Sequence, residues 1–192
     1  MNSVRDPMRI ISGRFKGRRL APVKGDIRPT SDRLRESLFS ALSPWLEGAV
    51  WLDAFAGSGA VGLEALSRGA ALVVFNEKEL GAGRVLKRNL EKCGVQEGFR
   101  LVQMDALTLL RNPGEPFFDF LFLDPPYRFE RYGKLLRAVT QCPAFTEDTL
   151  VLLEVFKKTP SDFIPPELEH FKTIEAGDSR ILFIRKGVRS GG

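Results

Sequence analysis

A short apolar run that ends in two prolines is the feature that most limits how this 192-residue chain can fold. The run Phe120–Leu123 is uniformly apolar, a composition typical of a strand that is buried on both faces of a parallel sheet. It is followed directly by Asp124, Pro125, Pro126 and Tyr127. Consecutive prolines cannot continue a strand, because they lack the backbone N–H that a sheet needs. The chain must therefore leave the sheet in a stiff turn, at the edge where open α/β sheets bind ligands.

The residues of this turn suit a planar base that carries an exocyclic amine. The Asp124 carboxylate and the Pro125 carbonyl can each accept one amine hydrogen, which aims the nitrogen lone pair at an electrophile. The Tyr127 ring can stack on the base, an interaction worth roughly 1–3 kcal/mol. An ordinary turn after an ordinary strand is the alternative, so the rest of the chain must decide.

Composition makes several classes of protein unlikely matches for this chain. With 43% hydrophobic and 28% charged residues it resembles soluble globular proteins, and no apolar run is long enough to cross a membrane. Its single histidine, His170, and its two cysteines, Cys93 and Cys142, have no metal-binding spacing. We therefore expect no metal, no disulfide framework and no Ser-His-Asp triad. Since the N-terminus has no signal-peptide core, we expect a cytoplasmic protein.

Positive charge is concentrated near the N-terminus. Residues 1–36 contain ten Lys or Arg and four acidic residues, so they carry more than the whole chain's net charge of +5. We therefore divide the chain into a basic arm at residues 1–27, expected to form a β-hairpin, and a main domain at residues 28–192. A solvated basic surface without a partner is the alternative to nucleic-acid binding. The residues expected to contact phosphates are Arg14, Lys16, Arg18, Arg19, Arg28 and Arg33.

Strand-like and helix-like segments alternate through the main domain. Apolar runs predict strands at 49–55, 71–75, 100–104, 118–123 and 149–155, followed by strands at 171–175 and 180–185. Helical patterns follow residue 30 and separate the first five strands. This order predicts an α/β fold with a doubly wound, mostly parallel seven-stranded sheet and an antiparallel strand near its end.

A glycine-rich segment points to a nucleotide-like ligand. Gly57-Ser-Gly59-Ala-Val-Gly62 lies between a predicted strand and a predicted helix, which is the context of the G-x-G-x-x-G motif. Glu77, at the end of the second strand, is placed to bind ribose hydroxyls. Dinucleotide dehydrogenases and enzymes that use S-adenosylmethionine (SAM) share both features, so these alone leave the cofactor open.

Acidic residues at other strand ends favour SAM. Asp53 ends the first strand, where a carboxylate suits the ammonium of a methionine moiety better than a pyrophosphate. Asp105 ends the third strand, where it can accept a hydrogen bond from an adenine amine. Each of these acids alone could be an ordinary helix cap, but together with Asp124 they are typical of a SAM site.

Several segments resemble a known enzyme family. Residues 53–64, together with the Asp124-Pro-Pro-Tyr127 turn, are similar to SAM methyltransferases that act on amino groups. Residues 9–20 and 28–36 narrow the resemblance to the bacterial RsmD family, which methylates the exocyclic N2 of a guanine in small-subunit (16S) ribosomal RNA. The resemblance extends from about residue 9 to residue 185 and includes Gly177-Asp-Ser-Arg180. Asn76 departs from the pattern, which has an apolar residue there, and we expect it to tune ligand contacts.

The resemblance implies a Rossmann-like class I SAM methyltransferase that acts on small-subunit ribosomal RNA or the 30S particle, and we expect the protein to be a monomer. It implies a catalytic turn of Asp124, Pro125, Pro126 and Tyr127. The implied cofactor contacts are Asp53, Ala54, Gly57, Gly59, Glu77, Asp105 and Ala106. Two alternatives stay open: a DNA adenine-N6 or other nucleic-acid amino methyltransferase, and a non-enzymatic RNA-binding protein on a methyltransferase scaffold.

Overall fold

A computed structural model, which describes residues 8–23, 30–114, 117–126 and 131–187, contains one seven-stranded sheet. The strands are β1 (Val50–Asp53), β2 (Leu72–Asn76), β3 (Phe99–Val102), β4 (Phe120–Leu123), β5 (Leu150–Phe156), β6 (Leu168–Ala176) and β7 (Ser179–Lys186). Their order across the sheet is β3-β2-β1-β4-β5-β7-β6. Strand β7 is antiparallel to both neighbours, and the other pairs are parallel. The predicted fold class is confirmed.

Helices cover both faces of the sheet. They are α1 (Asp32–Leu42), α2 (Ala60–Ser67), α3 (Leu80–Lys92), α4 (Ala106–Arg111) and α5 (Tyr132–Thr140), with a short 3-10 helix at Ser43–Trp45. The first three helices share a core with Trp51 and Phe122, whereas α4 and α5 share a core with Leu52 and Leu121. Successive strand residues therefore point to opposite cores, which explains why the central strands are apolar throughout. No helix in the described part of the chain is long and apolar enough to cross a bilayer.

The first strand is shorter than predicted. It ends at Asp53, because the backbone beyond it turns to join neighbouring strands. The N–H of Ala54 donates to the Phe122 carbonyl at 3.0 Å, and the N–H of Ala56 donates to the Asn76 carbonyl at 2.9 Å. These bonds fix the path of the chain into the glycine-rich segment.

Residues 8–23, which we call the N-terminal segment, pack onto the main domain. Ile10, Phe15 and Leu20 are buried in the core that α1–α3 cover. The segment folds back with one isolated antiparallel bridge, between Arg9 and Arg19, and is thus less regular than the expected two-stranded hairpin. Residues 1–7 and 24–27 of the predicted arm lie outside the described residues.

A buried carboxylate on α2 holds this segment. Glu64 accepts hydrogen bonds from the backbone N–H of Ile11 at 2.7 Å and of Ser12 at 3.0 Å. Its charge is balanced by Arg68, whose Nε lies 2.7 Å from it, and by Arg35, whose side chain is fully buried and 3.9 Å away. A buried charge with this many partners fixes geometry, and removing one partner would leave a charge that burial penalises.

A buried amide on α3 makes a second attachment. Asn89 Nδ2 donates to the carbonyls of Ala21 at 3.0 Å and Ser58 at 2.8 Å. Its Oδ1 accepts from the N–H of Ala21 at 2.8 Å. Asn89 therefore connects the N-terminal segment to the glycine-rich loop that precedes α2.

Replacing this amide should cost stability. We expect Asn89→Ala to lower the free energy of unfolding by about 3 kcal/mol, because it leaves buried polar groups of Ala21 and Ser58 without partners. Urea unfolding followed by circular dichroism measures the change. The control is Gln96→Ala, which removes an exposed amide just after α3 and should shift stability by no more than about 0.5 kcal/mol. Equal midpoints for the two variants would contradict the attachment.

Candidate functional site

The carboxyl ends of β1 and β4 open into a narrow cleft. Asp53 lies opposite Phe122 in the register of these two parallel strands, so Asp53 and Asp124 share one edge of the sheet. The cleft therefore unites predicted site residues that are far apart in sequence. Its lining consists of Thr30, Asp53, Phe55, Ala56, Gly57, Ser58, Ala60, Val61, Phe122 and Asp124.

Asp53 is buried with one oxygen that lacks a protein partner. Its Oδ2 accepts from the Gly62 N–H at 3.1 Å, whereas Oδ1 has no hydrogen bond to any residue that the structure describes. Burial raises the pKa of Asp53 from 3.8 to about 7; the Gly62 hydrogen bond opposes this shift and the charge of Glu77 adds to it. A buried, unsatisfied acceptor in a cleft is suited to a cationic group, which would return the carboxyl to its ionised form.

The glycine-rich loop connects Asp53 to Glu77. Glu77 Oε2 accepts from the Gly57 N–H at 2.8 Å, and its Oε1 accepts from the Glu79 N–H at 2.7 Å. Gly59 has a φ of +81°, and a Cβ at this position would clash with Leu86. Glycine adopts this left-handed backbone without strain and leaves room for the Leu86 side chain of α3. The structure thus brings the predicted contacts Gly57, Gly59 and Glu77 together beside Asp53.

Asn76 braces three strand ends. Its buried Nδ2 donates to the Ala54 carbonyl at 2.9 Å, and its Oδ1 accepts from the Met104 N–H at 3.3 Å. An apolar side chain could make neither bond. The departure from the family pattern is therefore a structural connection between the ends of β1, β2 and β3, and its effect on ligand contacts stays a prediction.

Asp105 lies at the predicted strand end but away from the cleft that Asp53 and Asp124 line. Its Oδ1 caps α4 by accepting from the Leu107 N–H at 3.0 Å, and its Oδ2 lies 3.6 Å from Lys78 Nζ. The side chain is 47% exposed. Ala106 is buried in the first turn of α4. The adenine contact expected of this pair stays a prediction, and Asp105 serves as a helix cap.

The proline turn borders the cleft on its far side. Asp124 is partly buried and Pro125 fully so, whereas Pro126 is exposed and Tyr127 lies outside the described residues. Tyr132, on α5, stacks on Phe163 with ring centroids 5.0 Å apart. Burial, together with the charge of Asp124, raises the pKa of the Tyr132 hydroxyl. An aromatic pair therefore lies close to the proposed acceptor turn.

The predicted phosphate contacts are exposed wherever the structure describes them. Arg14, Lys16, Arg18, Arg19 and Arg33 are all exposed, and Arg28 lies outside the described residues. The Arg14 guanidinium lies 4.5 Å from the Phe15 ring centroid, and Arg18 donates to the Lys92 carbonyl at 2.7 Å. A cavity of about 280 Å³ between this segment and α1 is larger than the cleft. We place the chemistry in the cleft, because the unsatisfied Asp53 oxygen lies there.

Comparison with known proteins decides the family. The family model described as conserved hypothetical protein 95 matches residues 8–185. A Haemophilus influenzae protein named ribosomal RNA small subunit methyltransferase D is 36% identical over 164 residues, 83% of each chain. The chain belongs to the RsmD family. The Escherichia coli K12 protein of the same name is 43% identical over 122 residues, 63% of this chain and 61% of that one.

Solved structures agree with this membership of the RsmD family. The Escherichia coli protein yhhF, a proposed methyltransferase, superposes with a TM-score of 0.80 at 31% identity and covers 94% of this chain and 98% of that one. A proposed methylase from Haemophilus influenzae superposes with a TM-score of 0.77 at 30% identity, over 94% and 99% of the two chains. The resemblance inferred from the motifs is confirmed.

Thr30, which lines the cleft, and its hydrogen-bond partner Glu154 were not predicted as site residues of this RsmD-family chain. Thr30 Oγ1 donates to Glu154 Oε2 at 2.7 Å, and both residues are 7% exposed. Thr30 directly precedes Ser31, which caps α1 with a side chain that accepts from the Leu34 N–H. The available signal was Glu154 itself, an acidic residue inside the otherwise apolar strand β5.

The raised pKa of Asp53 makes stability depend on pH. The native state holds the Asp53 proton more tightly than the unfolded chain does. The contribution of this proton to the free energy of unfolding is therefore complete below about pH 4 and is lost as pH rises to about 7. The wild-type free energy of unfolding should therefore fall by up to about 4 kcal/mol between pH 4 and 8, and Asp53→Asn, which cannot ionise, should abolish this fall. Urea unfolding at a series of pH values measures both. The exposed control Asp148→Asn should keep the wild-type pH dependence. An unchanged pH dependence in Asp53→Asn would contradict the assignment.

Proposed function

We propose that this protein is a SAM-dependent ribosomal RNA methyltransferase that transfers a methyl group to the exocyclic N2 amine of a guanine in small-subunit ribosomal RNA. The observation that carries the proposal is the cleft itself. It has the unsatisfied Asp53 oxygen on β1 and the Asp124-Pro125 turn after β4, with the glycine loop between them. A cationic methyl donor and an amine acceptor would thus meet at adjacent strand ends.

The residues on the cofactor side fit SAM. Asp53 Oδ1 would accept from the ammonium of the methionine moiety, and Glu77 would accept from ribose hydroxyls beside the Gly57 N–H that it already binds. Asp105 and the backbone of Ala106 would contact the adenine. The backbone at Ala54 and Gly59 would lie close to the cofactor. SAM supplies the electrophilic methyl group, so the protein chiefly contributes binding and orientation.

The proline turn would orient the acceptor. The Asp124 carboxylate and the Pro125 carbonyl would each accept one hydrogen of the guanine amine, which directs the nitrogen lone pair toward the methyl group. Asp124 would take up the departing proton after attack. Positioning of this kind can contribute roughly 7–11 kcal/mol to lowering a barrier, so no strong base is needed in advance. Tyr127 is proposed to stack on the base.

The ribosomal substrate is supported by the names of the relatives and by the basic N-terminal segment. The Haemophilus influenzae and Escherichia coli K12 relatives are named as methyltransferases of small-subunit ribosomal RNA. A base within folded RNA must be unstacked to reach the cleft, which costs a few kcal/mol. Phosphate contacts from exposed Arg14, Lys16 and Arg19 would offset that cost. We propose a cytoplasmic monomer acting on the RNA or on the 30S particle.

Asp124 should separate turnover from cofactor binding. We expect Asp124→Ala to lower methyl transfer at least about 100-fold, because the amine loses its orienting acceptor, while SAM affinity changes less than about threefold. Labelled methyl transfer to small-subunit particles, naked ribosomal RNA and duplex DNA measures turnover, and calorimetry measures SAM binding. Particles and RNA should come from cells that lack this protein. The control, Asp148→Ala, removes an exposed acid before β5 and should behave as wild type.

Methyl transfer to each of these substrates would indicate a different activity. Label recovered as N2-methylguanine in particles or RNA supports the proposal, and the better substrate identifies the stage of assembly. Label on DNA adenine would instead support an adenine-N6 methyltransferase. SAM binding without label on any substrate would overturn the small-subunit assignment.

Basic residues of the N-terminal segment should determine the salt dependence of RNA binding. Truncation is unsuitable, because it would also remove Ile10, Phe15 and Leu20 from the core. We expect the triple substitution Arg14→Ala, Lys16→Ala and Arg19→Ala to make the slope of log affinity against log salt less steep by about 2. The control replaces Lys172, Arg185 and Lys186, exposed on β6 and β7, and so removes the same charge. Equal slopes for the two triple variants would exclude this segment as the phosphate contact.

A further inference from the structure

Thr30 and Glu154 form a buried pair beside the acceptor turn. Leu123 lies opposite Leu153 in the parallel register of β4 and β5, so Asp124 and Glu154 are the next residues along the two strands. Phe122 and Leu152, two positions earlier, both belong to the core that α1–α3 cover. By the alternation of strand side chains, Asp124 and Glu154 therefore point to the same face of the sheet.

The hydrogen bond between Thr30 and Glu154 fixes the polarity of the hydroxyl. A threonine hydroxyl has one hydrogen and two lone pairs. Thr30 Oγ1 directs its hydrogen to Glu154 Oε2 at 2.7 Å. The oxygen of Thr30, which lines the cleft with Asp53 and Asp124, can therefore only accept a hydrogen bond from a ligand. Thr30 is not needed to cap α1, since Ser31 does so.

The position of the pair in the sheet assigns it to the acceptor. The proposed cofactor contacts Asp105, Glu77 and Asp53 stand at the carboxyl ends of β3, β2 and β1, which are consecutive strands of the sheet. The next strand, β4, carries the proline turn, and β5 with Glu154 lies beyond it. Thr30 lines the same cleft as Asp53, but its partner Glu154 lies on the side of β4 away from the proposed cofactor contacts, so we assign a ligand group at Thr30 to the methyl acceptor.

We propose that Thr30 accepts the N1–H of the target guanine and that Glu154 is a positioning residue that orients its hydroxyl. Guanine presents an N1–H beside its amine on one edge, so Asp124, Pro125 and Thr30 would accept all the hydrogens of that edge. Adenine presents an unprotonated N1 beside its amine, and its lone pair would face that of the Thr30 oxygen. The pair would thus select guanine over adenine. This inference rests on the proposed function and names the feature of the base that the site reads.

A base analogue tests the proposed contact directly. 2-Aminopurine keeps the amine at C2 but has no hydrogen on N1. The position of the methylated guanine is mapped first. RNA that carries 2-aminopurine at this position is then made by joining synthetic pieces, and it is assembled into particles if the particle is the substrate. For the wild-type protein we expect 2-aminopurine to lower kcat/KM roughly 10- to 100-fold relative to guanine, since a buried acceptor loses its partner.

Substitutions at the pair locate the effect. Thr30→Val removes the hydroxyl at constant size and should reduce the guanine preference over 2-aminopurine to no more than about threefold, whereas Thr30→Ser should keep the wild-type ratio. Glu154→Gln should also reduce the preference, because the amide can donate to Thr30 and free its hydrogen. The control, Thr173→Val on the edge strand β6, should keep both activity and ratio. Equilibrium binding of guanine and 2-aminopurine RNA gives the same ratios independently of turnover.

The outcomes separate this inference from the proposed function. Methylation of guanine with the same 2-aminopurine ratio in wild type, Thr30→Val and Glu154→Gln would overturn the inference and leave the proposed function intact. Absence of guanine methylation by the wild-type protein would overturn both. Thermal unfolding checks that each variant is folded. If Thr30→Val unfolds, the ratios for Thr30→Ser and Glu154→Gln decide.

Discussion

Burying negative charge at one edge of the sheet is the constraint on which the rest of this structure depends. Asp53, Asp124 and Glu154 come from neighbouring strands and lie on the face covered by α1–α3. Burial raises the pKa of Asp53 to about 7, although the Gly62 N–H that donates to its carboxylate opposes the rise. Glu154 receives the Thr30 hydroxyl instead. The free-energy cost of burying and orienting these acidic side chains is met when the protein folds, before any ligand binds. The ammonium of the proposed cofactor and the N–H donors of the proposed acceptor base would therefore meet acceptors that are already oriented.

Helix α2 is the common support of the cleft and of the N-terminal segment. Its first turn follows the glycine loop, while Glu64 and Ser67 on the same helix hold the segment. The Ser67 hydroxyl accepts from the Phe15 N–H at 2.9 Å and donates to the Ser12 carbonyl at 2.5 Å. The exposed cations of the segment thus have fixed positions relative to the cleft. Phosphate contacts and base placement would then be parts of one rigid geometry.

The sequence was sufficient for features that arise locally. Apolar runs and helical periods placed the strands of the sheet, and parallel topology then brought Asp53 and Asp124 to one edge. Features that depend on distant contacts could not be predicted. The partners Thr30 and Glu154 are 124 residues apart, and only the β4–β5 register shows that Glu154 stands beside Asp124. The raised pKa of Asp53 likewise reflects burial, which a residue at the end of a strand does not reveal.

Recognition of the amine and recognition of the base are separate problems in this cleft. The Asp124 turn offers only acceptors, and every exocyclic amine offers donors, so the turn alone treats adenine and guanine alike. Discrimination needs a group whose polarity is fixed at the neighbouring ring nitrogen. A threonine hydroxyl on its own could donate or accept, but a buried carboxylate that takes its hydrogen removes that freedom. The acid inside the otherwise apolar strand β5 therefore makes physical sense as the group that turns an adaptable hydroxyl into a selective one.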